Sequence, residues 1–372
     1  MGGPDGVSPI RPEAIHPIAK PPMITAPTDR TQPEDDRAWQ HALAAAVRDP
    51  DELVRLLALP DDILEPARRA AGLFPLRVPR SYLARMRPGD PADPLLRQVL
   101  PLQAEFDEVP GYGSDPVGDL ASRRDPGILK KYRGRALLIT TGACAVHCRY
   151  CFRRHFPYEQ EQAARGRWRP ALESVAADPD IREVILSGGD PLSLGDARLG
   201  ELIAGLGEIP HVQRLRIHSR HPVVLPERVT GQLCALLEGF RGPVTVVLHA
   251  NHANELAAGD VTGAVERLRR TGALLLNQAV LLRGVNDSAA AQQDLGEALS
   301  AAGVAPYYLH CLDPVAGAAH FDVPESEGRD IIESLRQQAP GYMVPRLVRE
   351  IPGEPAKTPI PPHLVENEPG MG

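Results

Sequence analysis

The sequence predicts an α/β protein: a partial (β/α)6-type TIM-like barrel with a helical N-terminal region in front of it. Three observations carry this. Short apolar runs alternate with helical stretches about six times, the rhythm of a parallel sheet with helices outside. The runs are continuous rather than alternating, as strands buried on both faces require. The polar residues that interrupt them fall at their C-terminal ends, and in a barrel these ends meet on one face. An open doubly wound sheet is the second choice.

Residues 1–34 are Pro-rich and aperiodic and read as a flexible tail. Residues 35–112 read as the helical N-terminal region. There "AWQHALAAAVRDPDELVRLLAL" spaces Leu and Ala by three and four, and "DPLLRQVLP" is a short helix ended by Pro101. The barrel spans 113–350. Its strands are "RALLIT" (135–140), "EVILSGGD" (183–190), "RLRIHSR" (214–220), "VTVVLHANH" (244–252), "ALLLNQ" (273–278), "PYYLHCLD" (306–313) and "YMVPRLVRE" (342–350). Helical stretches such as "DARLGELIAGLGE", "PERVTGQLCALLEGF", "DVTGAVERLRRT", "AAQQDLGEALSAAG" and "ESEGRDIIESLRQQA" lie between them. Residues 351–372 form a C-terminal segment rich in Gly and Pro.

Composition narrows the function. Of 372 residues, 43% are hydrophobic, enough for a sizeable core, and 24% are charged. A net charge of −7 argues against a nucleic-acid binder, which needs a basic face. No apolar run reaches the length of a membrane span, and the first residues lack the apolar region of a secretory signal. These features point to a reducing cytoplasm, where clustered cysteines are metal ligands or catalytic groups rather than bridges.

The loop "TTGACAVHCRYCFRRHF" (140–156) holds three of the five cysteines, Cys144, Cys148 and Cys151, spaced C-x3-C-x2-C. Such a loop can wrap one corner of a [4Fe–4S] cube, one thiolate per iron, leaving the fourth iron open. An open iron can chelate the amino and carboxylate groups of S-adenosylmethionine. Reduction of the sulfonium then gives a 5′-deoxyadenosyl radical. Zinc held with His147 or His155 is the rival, although no second C-x2-C exists; chance is the bland alternative. "SGGD" after the next strand would let backbone groups approach a bound amino group closely.

Taken together, "CAVHCRYCFRRHFPY", "LSGGDPL", "RIHSRHPVVLPERVT", "HANHANE", "NQAVLLRGVND", "AAHF" and "GEPAKTP" resemble the lysine 2,3-aminomutase family of radical S-adenosylmethionine enzymes. They look most like its bacterial EpmB branch, which makes β-lysine for elongation factor P. The resemblance runs from about residue 35 to the end. It implies Cys144, Cys148 and Cys151 as cluster ligands. It implies Ser187, Gly188, Gly189 and Asp190 as the loop under the methionine moiety, with His249 and Gln278 as further contacts to S-adenosylmethionine. Lys357 matches the lysine that carries pyridoxal phosphate, and Arg135, Lys131 and Tyr132 fall where the family holds its phosphate. Arg153 matches the clamp for the substrate carboxylate. Asp313 and Glu350 match two acids facing the ε-ammonium of L-lysine.

The chain departs from the fermentative lysine enzymes in three ways. Glu350 stands for aspartate and Tyr150 for histidine, changes that bear on substrate pose or stereochemistry. Fifteen residues follow Lys357, without their C-terminal extension. The implied reaction moves an α-amino group to the β-carbon. The implied partners are a reductant such as flavodoxin or ferredoxin, and elongation factor P with its separate ligase. The alternatives are an aminomutase of the same family for another amino acid, such as glutamate, and a non-enzymatic iron–sulfur or zinc protein. Read from the residues alone, Lys357 in "IPGEPAKTPIPP" is a solvated lysine as readily as a Schiff-base lysine.

Overall fold

The computed structural model describes residues 37–160, 163 and 168–361. The tail expected over 1–34 and the C-terminal segment from 362 onward lie outside the described residues.

Five short helices come first: α1 (Ala38–Ala44), α2 (Pro50–Leu56), α3 (Leu64–Leu73), α4 (Arg80–Leu83) and α5 (Pro94–Arg97). The helical stretch expected from Ala38 to Leu59 breaks between α1 and α2. The Asp49 carboxylate accepts the Asp51 amide at 3.2 Å and caps α2, and Pro50 occupies its first turn, where no amide partner is needed. Asp93 and Pro94 start α5 in the same way, and it ends at Arg97, four residues before Pro101.

One ten-stranded sheet follows, its strands hydrogen-bonded in chain order. β1 (Arg123–Asp125) and β2 (Ile128–Leu129) form an antiparallel hairpin on β3 (Arg135–Thr141). Parallel to β3 run β4 (Glu183–Gly188), β5 (Arg214–Ser219), β6 (Val244–Leu248), β7 (Leu274–Val280), β8 (Ala305–His310) and β9 (Arg346–Arg349). β10 (Thr358–Pro359) returns antiparallel to β9. The crossovers carry α6 (Arg169–Ala176), α7 (Asp196–Gly207), α8 (His221–Val224) with α9 (Gly231–Glu238), α10 (Gly259–Arg270), α11 (Ala289–Ala301) and α12 (Glu325–Gln338). Six strand–helix units thus stand as the alternating pattern predicts. Most strand bounds hold to within two residues, β8 stops at His310 instead of 313, and two bounds shift by four. β6 stops at Leu248 instead of 252, and β9 starts at Arg346 instead of 342, because Pro345 has no amide for the ladder.

The sheet is open at its edges yet curled. Lys131, just before β3, forms an ion pair with Glu350, just after β9, at 3.2 Å. Six strand steps of about 4.8 Å would hold a flat sheet's ends roughly 29 Å apart. The sheet therefore wraps into a partial barrel, with the C-terminal strand ends around one mouth. Leu138, Leu186, Ile217, Val246, Leu275 and Leu309, one from each of six parallel strands, are at most 3% exposed. Each contributes about 1.5–3 kcal/mol relative to an exposed side chain. Among the described residues, no helix is long and apolar enough to cross a membrane.

Candidate active site

A cavity of about 330 Å³ opens at the C-terminal strand ends. Its wall takes in all three loop cysteines and all the residues that the family resemblance assigned, from Lys131 to Lys357, but neither His147 nor His155. These residues come from β3, β4 and β7, from the turns after β4, β6, β8 and β9, and from the segments before β3, after β3 and before β10, so the curl of the sheet brings them together.

The cysteine loop leaves β3 and is pinned by backbone. The His147 amide donates to Arg77 O at 3.0 Å and the Arg149 amide to Gln98 O at 2.9 Å. All three thiols are free. Burial pushes the Cys144 thiol well up, and that of Cys151 to about 11, so both are protonated until a cation displaces the proton. Cys148 Sγ accepts from Arg220 Nη1 at 2.7 Å. Among the described residues, no three His, Cys, Asp or Glu side chains converge as one metal ion requires. A cube that offers each thiolate its own iron needs no such convergence.

Gly188 and Gly189 hold this loop against β4. Gly188 has φ +120°, and a Cβ there would lie 2.7 Å from Thr141 O; at Gly189 it would lie 2.4 Å from Ala143 O. The Gly189 amide instead donates to Thr141 O at 2.7 Å and the Asp190 amide to Ala143 O at 2.8 Å. The glycines serve backbone packing first, where the sequence suggested close approach to a ligand. The Asp190 carboxylate is engaged in the fold. It accepts from Ser219 Oγ at 2.8 Å and the Arg220 amide at 2.7 Å, and His221 Nδ1 lies 2.8 Å away. These partners hold its pKa below the usual range despite burial. Ser187 Oγ accepts from Arg153 at 3.2 Å.

From the cysteine loop, charges alternate in a chain across the cavity. Arg153 Nε meets Asp119 Oδ2 at 2.6 Å, Asp119 Oδ1 meets Lys131 Nζ at 2.7 Å, Lys131 meets Glu350 Oε1 at 3.2 Å, and Glu350 Oε2 meets Lys357 Nζ at 2.6 Å. Tyr132 donates its hydroxyl proton to Glu350 Oε1 at 2.8 Å. Lys131 and Tyr132, expected at a phosphate, are thus bound to Glu350 here. Arg135 lies over the Tyr132 ring at 5.0 Å and makes no ion pair with a described residue, so it remains available to an anion. Arg153 Nη2 has no described acceptor, which leaves one donor of its fork uncommitted.

Asp313 lies just beyond β8 and has no ion-pair partner among the described residues. Burial, then the negative charges of Glu350 and Asp119, push its carboxyl to about 7, against the pull of Lys357 and Lys131. His249 is pushed down to about 3 by burial and by Arg220, so it is neutral, 3.3 Å from the Tyr150 hydroxyl. Tyr150 sits at the cysteine end, where its hydroxyl accepts from Arg220 and Asn251, each at 2.7 Å. Gln278 projects from β7 into the wall.

Sequence reasoning missed several residues. Asp119 is 1% exposed and joins Arg153 to Lys131, yet it lies in an unpatterned stretch before β1. His218 and His310 line the cavity with buried Nε2 atoms that have no partner among the described residues, the signature of a site built for a polar ligand. The sequence marks His218 as a polar strand end without a role, and the place of His310 at the end of β8 was the signal available for it. Arg220 directly follows β5 among the polar strand ends that the sequence marks, with no role assigned to it, and Glu255 was not singled out.

No family model matches the chain. Curated relatives do. The L-lysine 2,3-aminomutase of Escherichia coli (strain K12) is 52% identical over 325 residues, 87% of this chain and 94% of that protein. The enzyme of the same name from Haemophilus influenzae is 44% identical over 87% of this chain and 96% of its own. That from Clostridium subterminale is 36% identical over 88% and 78%. Among solved structures, Streptococcus suis SuiB bound to S-adenosylmethionine is similar at a TM-score of 0.44 and 14% identity, over 62% of this chain and 53% of that one. A charge-lined cavity at the strand ends of an α/β barrel is the site of an enzyme, here an isomerase. The chain belongs to the L-lysine 2,3-aminomutase family.

Proposed function

We propose that the protein converts L-lysine into β-lysine in the cytoplasm, with a [4Fe–4S] cluster, S-adenosylmethionine and pyridoxal phosphate, and that the product serves elongation factor P. The carrying observation is the single cavity that joins the cysteine loop to the Arg153–Asp119–Lys131–Glu350–Lys357 chain. Cys144, Cys148 and Cys151 would hold the cluster, and the neutral His249 and Gln278 would contact the cosubstrate. Lys357 would carry pyridoxal phosphate, with Arg135 free for the phosphate. When bound, these groups supply hydrogen-atom abstraction and a π bond through which nitrogen can pass between adjacent carbons.

The chain's own residues orient the substrate. Arg153 offers its remaining donor to the substrate carboxylate. Asp313 offers an uncompensated carboxylate to the ε-ammonium, beside Glu350. A side-chain carboxylate in place of the ammonium would face both acids and be repelled, which favours lysine over glutamate. A flavodoxin or ferredoxin would supply the electron, and a separate ligase would use the product.

The test is anaerobic reconstitution with iron, sulfide and pyridoxal phosphate, followed by incubation with a panel of amino acids. β-Lysine from lysine, with little turnover of glutamate or alanine, is expected. Faster rearrangement of glutamate would sink the assignment. Lys357→Ala should lose borohydride-trappable pyridoxal phosphate while keeping its iron. Labelling of another lysine would refute that role.

A further inference from the structure

Arg220 is 6% exposed and lines the cavity wall beside the cysteine loop. Its Nη1 reaches Cys148 Sγ and the Tyr150 hydroxyl, each at 2.7 Å. Its Nη2 donates to Gln98 Oε1 and to Glu255 Oε1, each at 2.6 Å. Glu255 is fully buried, and it also accepts from the Tyr82 hydroxyl at 2.8 Å and the Asn251 amide at 2.6 Å. Nothing in this arrangement touches the Lys357 end of the cavity. It is a cation held rigidly against one cluster cysteine, with one carboxylate set behind it.

We propose that Arg220 sets the reduction potential of the iron–sulfur group through its N–H···S bond to Cys148, with Glu255 as the opposing charge. This rests on the cluster reading above. Reduction adds negative charge to the cluster and its thiolates. A guanidinium donating to one sulfur stabilises that charge and raises the potential, whereas a buried carboxylate lowers it. Both act with little water between them and the sulfur, so screening is weak. Both are positioning residues, since neither is placed on substrate or on a reacting atom.

The experiment is a redox titration of the anaerobically reconstituted full-length protein, followed by electron paramagnetic resonance, with iron content measured on each sample. Arg220→Gln should shift the midpoint to more negative potential. Arg220→Lys, which keeps the charge but loses the fork, should shift it the same way by less. Glu255→Gln should shift it to more positive potential. A role confined to holding the loop in shape predicts no such opposition of sign. The proposal is overturned if variants with wild-type iron titrate as wild type, or if Arg220→Lys and Glu255→Gln shift the same way. Should Arg220→Gln lose its iron, the other two variants decide. A wild-type chain that takes up no iron removes the cluster reading and this proposal together; iron without the opposed shifts removes this proposal alone.

Discussion

Asp313 is held at about 7 by burial and by neighbouring acids, so near neutral pH about half of it carries a proton. Only the ionised form can pair with an ε-ammonium. Lysine binding should therefore weaken as pH falls below about 7, approaching tenfold per unit, and level off above it. Asp313→Asn should abolish this slope in the KM for lysine. It should also raise KM by roughly 10- to 150-fold, the loss of a charge-assisted contact of about 1.5–3 kcal/mol. Unchanged lysine kinetics in this variant would remove Asp313 from the site. Stability runs the other way. The native carboxyl stays protonated to higher pH than the ordinary 3.8, so the native state binds more protons between 3.8 and about 7. Its contribution to stability falls as pH rises through that window, and the cost is complete above it. Ligand-free Asp313→Asn should melt above wild type at pH 8, with a smaller gain at pH 5. No gain at pH 8 would contradict the buried, uncompensated carboxylate.

At the scale of elements, the join between β4 and the cysteine loop is the tightest place in the site. Ala143 O occupies the space that a Cβ on Gly189 would need, at 2.4 Å, and both atoms belong to backbone that hydrogen-bonds across the gap. Gly189→Ala must push the loop away from β4, and the three thiols move with it. The variant should keep its far-ultraviolet circular dichroism and lose most of its iron. Gly195→Ala, whose Cβ meets nothing within 4 Å, should keep both. Full iron in Gly189→Ala would show that the loop does not depend on this packing.

At the scale of the molecule, one buried charge group ties three regions together. Glu105 accepts from Arg149 at 2.8 and 2.5 Å and from Arg154 at 2.7 Å, all three side chains at most 1% exposed. Arg149 also donates to Phe74 O at 2.7 Å, at the end of α3, and Arg154 to Gly317 O at 3.1 Å, beyond β8. The N-terminal helices, the cysteine loop and the last crossover thus share one carboxylate. Glu105→Gln leaves two buried guanidiniums without a counter-charge, which costs about 3–5 kcal/mol. Denaturant unfolding should show that loss, and a change below about 1 kcal/mol would mean the three regions hold together without it.

By itself the sequence determined the six strand–helix units, because periodicity and strand-end polarity are local signals that survive in any register. It also marked the cysteine loop and "SGGD", since both are contiguous. It could not place the hairpin of β1 and β2 or the return strand β10, whose two or three residues carry no readable alternation. Lys357 shows the consequence. Its neighbours in sequence are Gly and Pro, and only the family resemblance singled it out. In the fold, Thr358 pairs with Arg349, and that register sets Lys357 beside Glu350. The roles of Asp119 and Arg220 were decided by tertiary structure: the sequence passes over the first and marks the second only as a polar strand end. Each is an ordinary charge in sequence, and each becomes a site residue only when the curl of the sheet carries it to partners 34 and 72 residues away, Arg153 and Cys148. Burial then gives these pairs their strength, and burial is a property of the curled, packed sheet, not of any stretch of the chain.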